Sequence, residues 1–164
     1  MTQSLLTARI HSADPPAARL MLPFELRQRS RMLATLDNGE EVGVTLPRGT
    51  ILRGGDRLQS SDGRVIEVVA SPETVSIVRS ADVRLLARAA YHLGNRHVAV
   101  QIASGFISYL HDHVLDDMLR GLGLAVEYDL LPFEPEAGAY SQSHAHAHAS
   151  HGHTHGHGHD HSHG

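Results

Sequence analysis

The amino-acid sequence predicts an α+β chain: an all-β unit first, a mixed unit second, and a tail without a core. Three observations carry this. Short alternating runs separated by turn residues fill the chain to about Ser71. Apolar residues at helical spacing occur in two stretches after Thr74. Beyond Pro135 the composition collapses into Ala, Gly, Ser and His, which cannot bury a core.

In the first unit, Met32, Leu33, Ala34, Thr35 and Leu36 form one run. In a second, Val42, Val44 and Leu46 alternate with Glu41, Gly43 and Thr45, the period of a half-buried strand. Asn38-Gly39 between them supplies the positive φ that a tight hairpin needs. Pro47-Arg48-Gly49 and Gly54-Gly55-Asp56 are further turns, and Asp62-Gly63 precedes a strand over 65–69. Short strands at this spacing predict a small barrel or sandwich. Pro72, after small residues, marks the expected boundary.

The second unit opens with a strand over 74–78. Val83, Leu86, Ala87, Ala90 and Leu93 then share one helix face, with Asp82 or Ser80 as N-cap and Gly94 in the left-handed position past the end. Strands follow over 97–102 and 106–110 around Ser104-Gly105. A second helix has Val114, Leu115, Met118, Leu119 and Leu122 on one face, with Asp112 as its N-cap and Gly121 or Gly123 as its end. Asp116 and Asp117 sit near its positive pole. A strand over 124–131 completes βαββαβ, the order of a ferredoxin-like domain. The predicted organisation is therefore residues 1–72 as a small all-β domain, 73–136 as a ferredoxin-like domain, and 137–164 as a His-rich tail expected to be disordered without metal.

Composition narrows the function. The 164-residue chain is 41% hydrophobic but only 4% aromatic, so its cores are aliphatic. Domains of about 70 residues are near the limit for a single core, and such modules often lean on a dimer interface. A net charge of −4 with scattered arginines argues against a nucleic-acid partner. Cysteine is absent, which removes disulfides, thiolate catalysis and thiolate metal sites. The N-terminus lacks the features of a secretion signal, and no run approaches a membrane span. The expected setting is cytoplasmic.

Histidine is the abnormal residue, with 15 copies. The tail holds His144, His146, His148, His151, His153, His155, His157, His159, His161 and His163. Imidazole suits Ni(II), Zn(II), Cu(II) and Co(II), and small spacers let neighbouring rings turn onto one ion. An expression tag is usually an uninterrupted run, whereas this tract is irregularly spaced. Its ligands release metal under mild acid, because imidazole protonates near a pKa of about 6.5. The tract does not itself select the metal, since Cu(II) would bind more tightly and Zn(II) would compete.

Three histidines outside the tail are candidate ligands. His97 follows Gly94-Asn95-Arg96; one copy makes no tight site, but two copies on a two-fold axis would supply a ligand pair. His111 and His113 flank Asp112. They share a face if the segment is extended, and act separately if Asp112 caps the helix. His92, near a helix C-terminus, reads as structural, and His11 has no supporting context.

The stretch Tyr91-His92-Leu93-Gly94-Asn95-Arg96-His97, followed by Asp112-His113-Val114-Leu115-Asp116-Asp117-Met118-Leu119, resembles the UreE family of urease accessory proteins. Arg29-Ser30-Arg31, the run from Gly43 through Val44, Thr45, Leu46, Pro47 and Arg48 to Gly49, and Gly55-Asp56-Arg57-Leu58 are similar to that family's N-terminal signature. The resemblance spans nearly the whole chain in order. It implies a homodimeric nickel metallochaperone that delivers Ni(II) to apo-urease, with a partner-binding N-terminal domain and a metal-binding C-terminal one. The family's interface ligand falls on His97, and a peripheral pair found in some members falls on His111 and His113. The implied partners are the accessory GTPase UreG, other urease maturation proteins and apo-urease.

Other functional classes fare less well. The sequence has no His-Glu-x-x-His spacing, no phosphate-binding loop, no nucleophile elbow and no cysteine, so an enzyme is not expected. A passive nickel or zinc store would use the tail equally well; only a defined site at His97 separates delivery from storage.

Overall fold

The computed structural model describes residues 4–138. In chain order its elements are β1 (Ser4–Ile10), β2 (Ala18–Leu22), α1 (Phe24–Arg27), β3 (Arg31–Thr35), β4 (Glu41–Thr45), β5 (Arg57–Ser60) and β6 (Val65–Ala70). Then come β7 (Pro72–Arg79), α2 (Val83–Asn95), β8 (Gln101–Ala103), β9 (Phe106–Leu110), α3 (His113–Gly121) and β10 (Val126–Pro132).

The first unit is a six-stranded sheet in the order β2-β6-β5-β1-β4-β3. Alternation along β2 and β6 turns Leu20, Leu22, Ile66 and Val68 inward, where they meet Leu6, Val42, Val44, Leu52 and Leu58. The sheet curls until its edges approach: Arg19 N–H donates to Asp37 Oδ1, and Asp37 N–H returns to Arg19 O, both at 2.9 Å. Asn38-Gly39 makes the expected turn, with Gly39 at φ 86°. On the outer face Leu5 lies across Gly43, where a Cβ would come within 2.6 Å of Leu5 Cδ2.

The second unit is a four-stranded sheet in the order β10-β7-β9-β8, antiparallel throughout. One face carries α2 and α3, whose Ala89, Leu93, Leu115 and Leu119 close on Val78, Ile107 and Tyr109. The opposite face presents Val75 and Ile77 to Phe24, with Phe133 beside them. Strand β7 is therefore buried on both faces, which explains its nearly continuous apolar run.

The predicted helix faces hold in part: Leu86, Ala90 and Leu93 of α2, and Leu115, Met118, Leu119 and Leu122 at α3, pack in the core. Val83 is 78% exposed and Val114 is 53% exposed, while Ala89 and Asp116 take the buried places. The more exposed side of α2, with Val83, Ala87 and the edges of Leu86 and Ala90, lines an open apolar groove with Ile102 of β8.

Arg27 joins the units. Its side chain has no exposure and donates to the carbonyls of Leu22 and Leu52 on one side. On the other side it donates to the Phe133 carbonyl and to Glu134 Oε1, the latter at 2.6 Å. Without it Glu134 would keep Arg53 and the Gly54 amide, and the Leu22 carbonyl would keep the Ser71 amide, but the Leu52 and Phe133 carbonyls would lose a buried donor, at about 1–3 kcal/mol each. Past β10 the chain stays pinned, with Glu134 N–H donating to Gln101 Oε1 and Glu136 N–H to Val100 O at 2.8 Å.

Candidate metal centre

Helix α2 begins where Asp82, in extended conformation, accepts from the amides of Arg84 and Leu85. At its other end the structure departs from expectation. Gly94 stays helical, the helix runs through Asn95, and the left-handed residue is His97 at φ 59°. His97 N–H donates to Gly94 O at 2.9 Å, and Val98 N–H reaches back to Leu93 O at 3.1 Å. That pair of bonds is a Schellman cap with His97 at C′, and Leu93 and Val98 share one core cluster. The strand expected from residue 97 starts only at Gln101, because the cap occupies the residues before it.

His97 is exposed and is the one positive-φ residue other than glycine among the described residues. The left-handed conformation costs about 1–2 kcal/mol for an L-residue, although His tolerates it better than most.

The second cluster is built on a register. Ser76 of β7 pairs with Tyr109 of β9 on one side and Tyr128 of β10 on the other, so the three lie in a row. His111 lies just past β9, with its N–H still bonded to Thr74 O at 3.1 Å. Its Nδ1 is 3.1 Å from Ser76 Oγ and 3.1 Å from Asp116 Oδ2, and its ring meets Tyr128 edge-on at 4.6 Å. Asp116, from α3, has no exposure and accepts from the Tyr109 hydroxyl at 2.7 Å through Oδ1. Its Oδ2 takes no hydrogen bond among the described residues. Burial pushes this carboxyl up, yet the Tyr109, Ser76 and Tyr128 hydroxyls and the His111 ring together hold it below the usual value. Burial, then the hydrogen bond to Asp116 and that carboxylate's charge, pushes the Tyr109 phenol up.

Asp112 does cap α3, accepting from the amides of Val114 and Leu115. His111 is thereby turned toward Asp116, while His113 stands exposed at the first helical position. His92 is half-buried against Tyr91. Among the described residues no group of three or more His, Cys, Asp or Glu side chains is gathered for a metal. The tail candidates His144, His146, His148, His151, His153, His155, His157, His159, His161 and His163 lie outside the described residues. Sequence reasoning credited Asp116 only with a dipole effect and passed over Tyr109 and Ser76. The available signal was an acid between Leu115 and Leu119, on the inward side of the helix.

No helix among the described residues is long and apolar enough to cross a membrane. Residues 3–71 match the family description "UreE urease accessory protein, N-terminal domain", and residues 73–163 match its C-terminal counterpart. The chain is similar to a urease accessory protein UreE of Alkalilimnicola ehrlichii, 63% identical over 135 residues, or 82% of this chain and 83% of that protein. It is also 57% identical over 137 residues to a protein of the same name from Enterobacter sp. strain 638, covering 83% of this chain and 90% of that one. A Pseudomonas putida W619 protein of that name is likewise 57% identical over 137 residues, or 83% and 85% of the two chains.

Proposed function

The chain belongs to the UreE family of urease accessory proteins, and on that premise we propose that it is a cytoplasmic nickel metallochaperone rather than an enzyme. The observation that carries the reading is His97, an exposed imidazole held at a helix end in a conformation that glycine would adopt with less strain. In this reading the chain is a homodimer, and the His97 rings of two copies hold one Ni(II) between them. The apolar groove along α2 supports a partner surface on the same unit. The strand order of residues 73–136 supports a ferredoxin-like metal-binding domain, and residues 1–72 form the domain for protein partners.

The tail at 137–164 gathers nickel and raises its local concentration beside His97. An acceptor with better-arranged ligands, UreG or apo-urease, then takes the ion by exchange, which a partly open imidazole shell allows. His111 and His113 are secondary ligands. Zn(II), Cu(II) and Co(II) compete for the same imidazoles.

Calorimetry with nickel on the intact chain, a tail-deleted form and His97→Ala tests this. Tail deletion should lower the number of ions bound and leave one tight ion per dimer. His97→Ala should remove that tight event; an unchanged event would refute the interface site. The tail's abundant histidines favour a second reading, passive storage. Storage predicts that binding falls with tail deletion alone.

A further inference from the structure

The row beneath α3 contains a buried carboxylate oxygen that takes no hydrogen bond among the described residues, 3.1 Å from a histidine nitrogen. Resting on the metal-carrier reading above, we propose that Asp116 is a positioning residue for His111, keeping the hydrogen on Nδ1 and so presenting the Nε2 lone pair outward to a divalent cation. The electrostatics are one-sided. An unprotonated Nδ1 would set its lone pair against a carboxylate in a site from which water is excluded, whereas Nδ1–H places positive charge there. The neighbouring oxygens agree: the Tyr109 hydroxyl is committed to Asp116 Oδ1, and Ser76 Oγ stands ready to accept from Nδ1–H. The side chain of His111 remains 39% exposed, and with Nδ1 turned inward its Nε2 is the nitrogen left for a ligand. Histidines that bind metals usually donate their other N–H to a carboxylate or carbonyl, which fixes the tautomer and raises ligand basicity. Here such a carboxylate is in place beforehand, braced by the sheet through Tyr109.

The test follows the ring nitrogens of His111 by NMR in the full chain with isotope-labelled histidine, the signals assigned by their loss in His111→Asn. Zn(II) is the diamagnetic probe, at a pH above the ordinary histidine range. Wild type should show the Nδ1–H tautomer and an Nε2 signal that shifts with zinc. In Asp116→Asn the carbonyl can keep the Tyr109 bond while the amide donates to Nδ1. The tautomer should then reverse, and the apparent zinc affinity at His111 should fall about 10–100-fold, with the tail signals responding as before. Finding Nε2–H in wild type would overturn the proposal without any variant, so a failure of Asp116→Asn to fold does not protect it. Equal zinc responses in the two proteins would also overturn it. A wild-type His111 that holds Nδ1–H yet ignores zinc would refute the metal reading underneath, and the proposal with it, while leaving the tautomer assignment intact.

Discussion

At the end of α3 the chain turns through Gly123, and at the end of α2 it makes the same turn through His97. The hydrogen bonds correspond one for one. Gly123 N–H bonds to Arg120 O and Leu124 N–H to Leu119 O, as His97 does to Gly94 and Val98 to Leu93. The beginnings match as well, since each helix opens on an aspartate that accepts from the amides two and three residues further on. The backbone problem is thus solved twice in one way, and only the C′ residue differs. Gly123 suits the geometry, whereas His97 merely tolerates it. The proposed function rests on this difference: of two like C′ positions, one carries a side chain where glycine would be less strained.

This contrast can be attacked in order of expected effect. Gly123→Val should be the most damaging, at about 2–3 kcal/mol in denaturant unfolding, because a β-branched residue is least tolerant of positive φ. An unchanged midpoint would mean that the left-handed geometry is not required there. Asp82→Ala and Asp112→Ala should each lose about 1 kcal/mol, as N-caps do. Markedly unequal losses would show that the two helices are less alike than their hydrogen bonds. At the other end, His97→Gly should be more stable than His97→Ala by roughly 1 kcal/mol, since both lose the imidazole and only glycine relieves the backbone. Equal stabilities would remove the strain on which the argument depends. The mildest change is His97→Asn, with stability within about 0.5 kcal/mol of wild type. Nickel calorimetry on that protein should nevertheless lose the tight event, separating ligand from scaffold.

These helix ends also mark what could be read before folding. Asp82 and Asp112 were legible as caps because an N-cap is a local contract between one side chain and the amides that follow it. Asn38-Gly39 and Ser104-Gly105 were legible for the same reason, their positive φ belonging to the glycines themselves. The C-terminus of α2 was not. Gly94 has the propensity for a left-handed residue, yet the helix ends where Leu93 and Val98 can meet in the core, three residues further on. Tertiary packing outweighed a local preference. Asp116 was hidden similarly: its burial depends on Tyr109, Ser76 and Tyr128 falling into register across three strands, which no single stretch encodes. His97 and His111 were singled out from chemistry and resemblance, but the left-handed cap at one and the Asp116 contact at the other came only from the fold.

The hydrogen bond from Glu136 to Val100 fixes the course of the chain at its last described residues. It ties the root of the histidine-rich segment to the loop between His97 and β8, and Arg27 holds the preceding residues to the first unit. His144 is eight residues beyond that anchor, a leash of at most about 29 Å when fully drawn out. On the proposed reading, an ion held by the first of these rings would start within that reach of Glu136, so inserting inert residues before His144 should slow its transfer to His97 while leaving the number of ions bound unchanged.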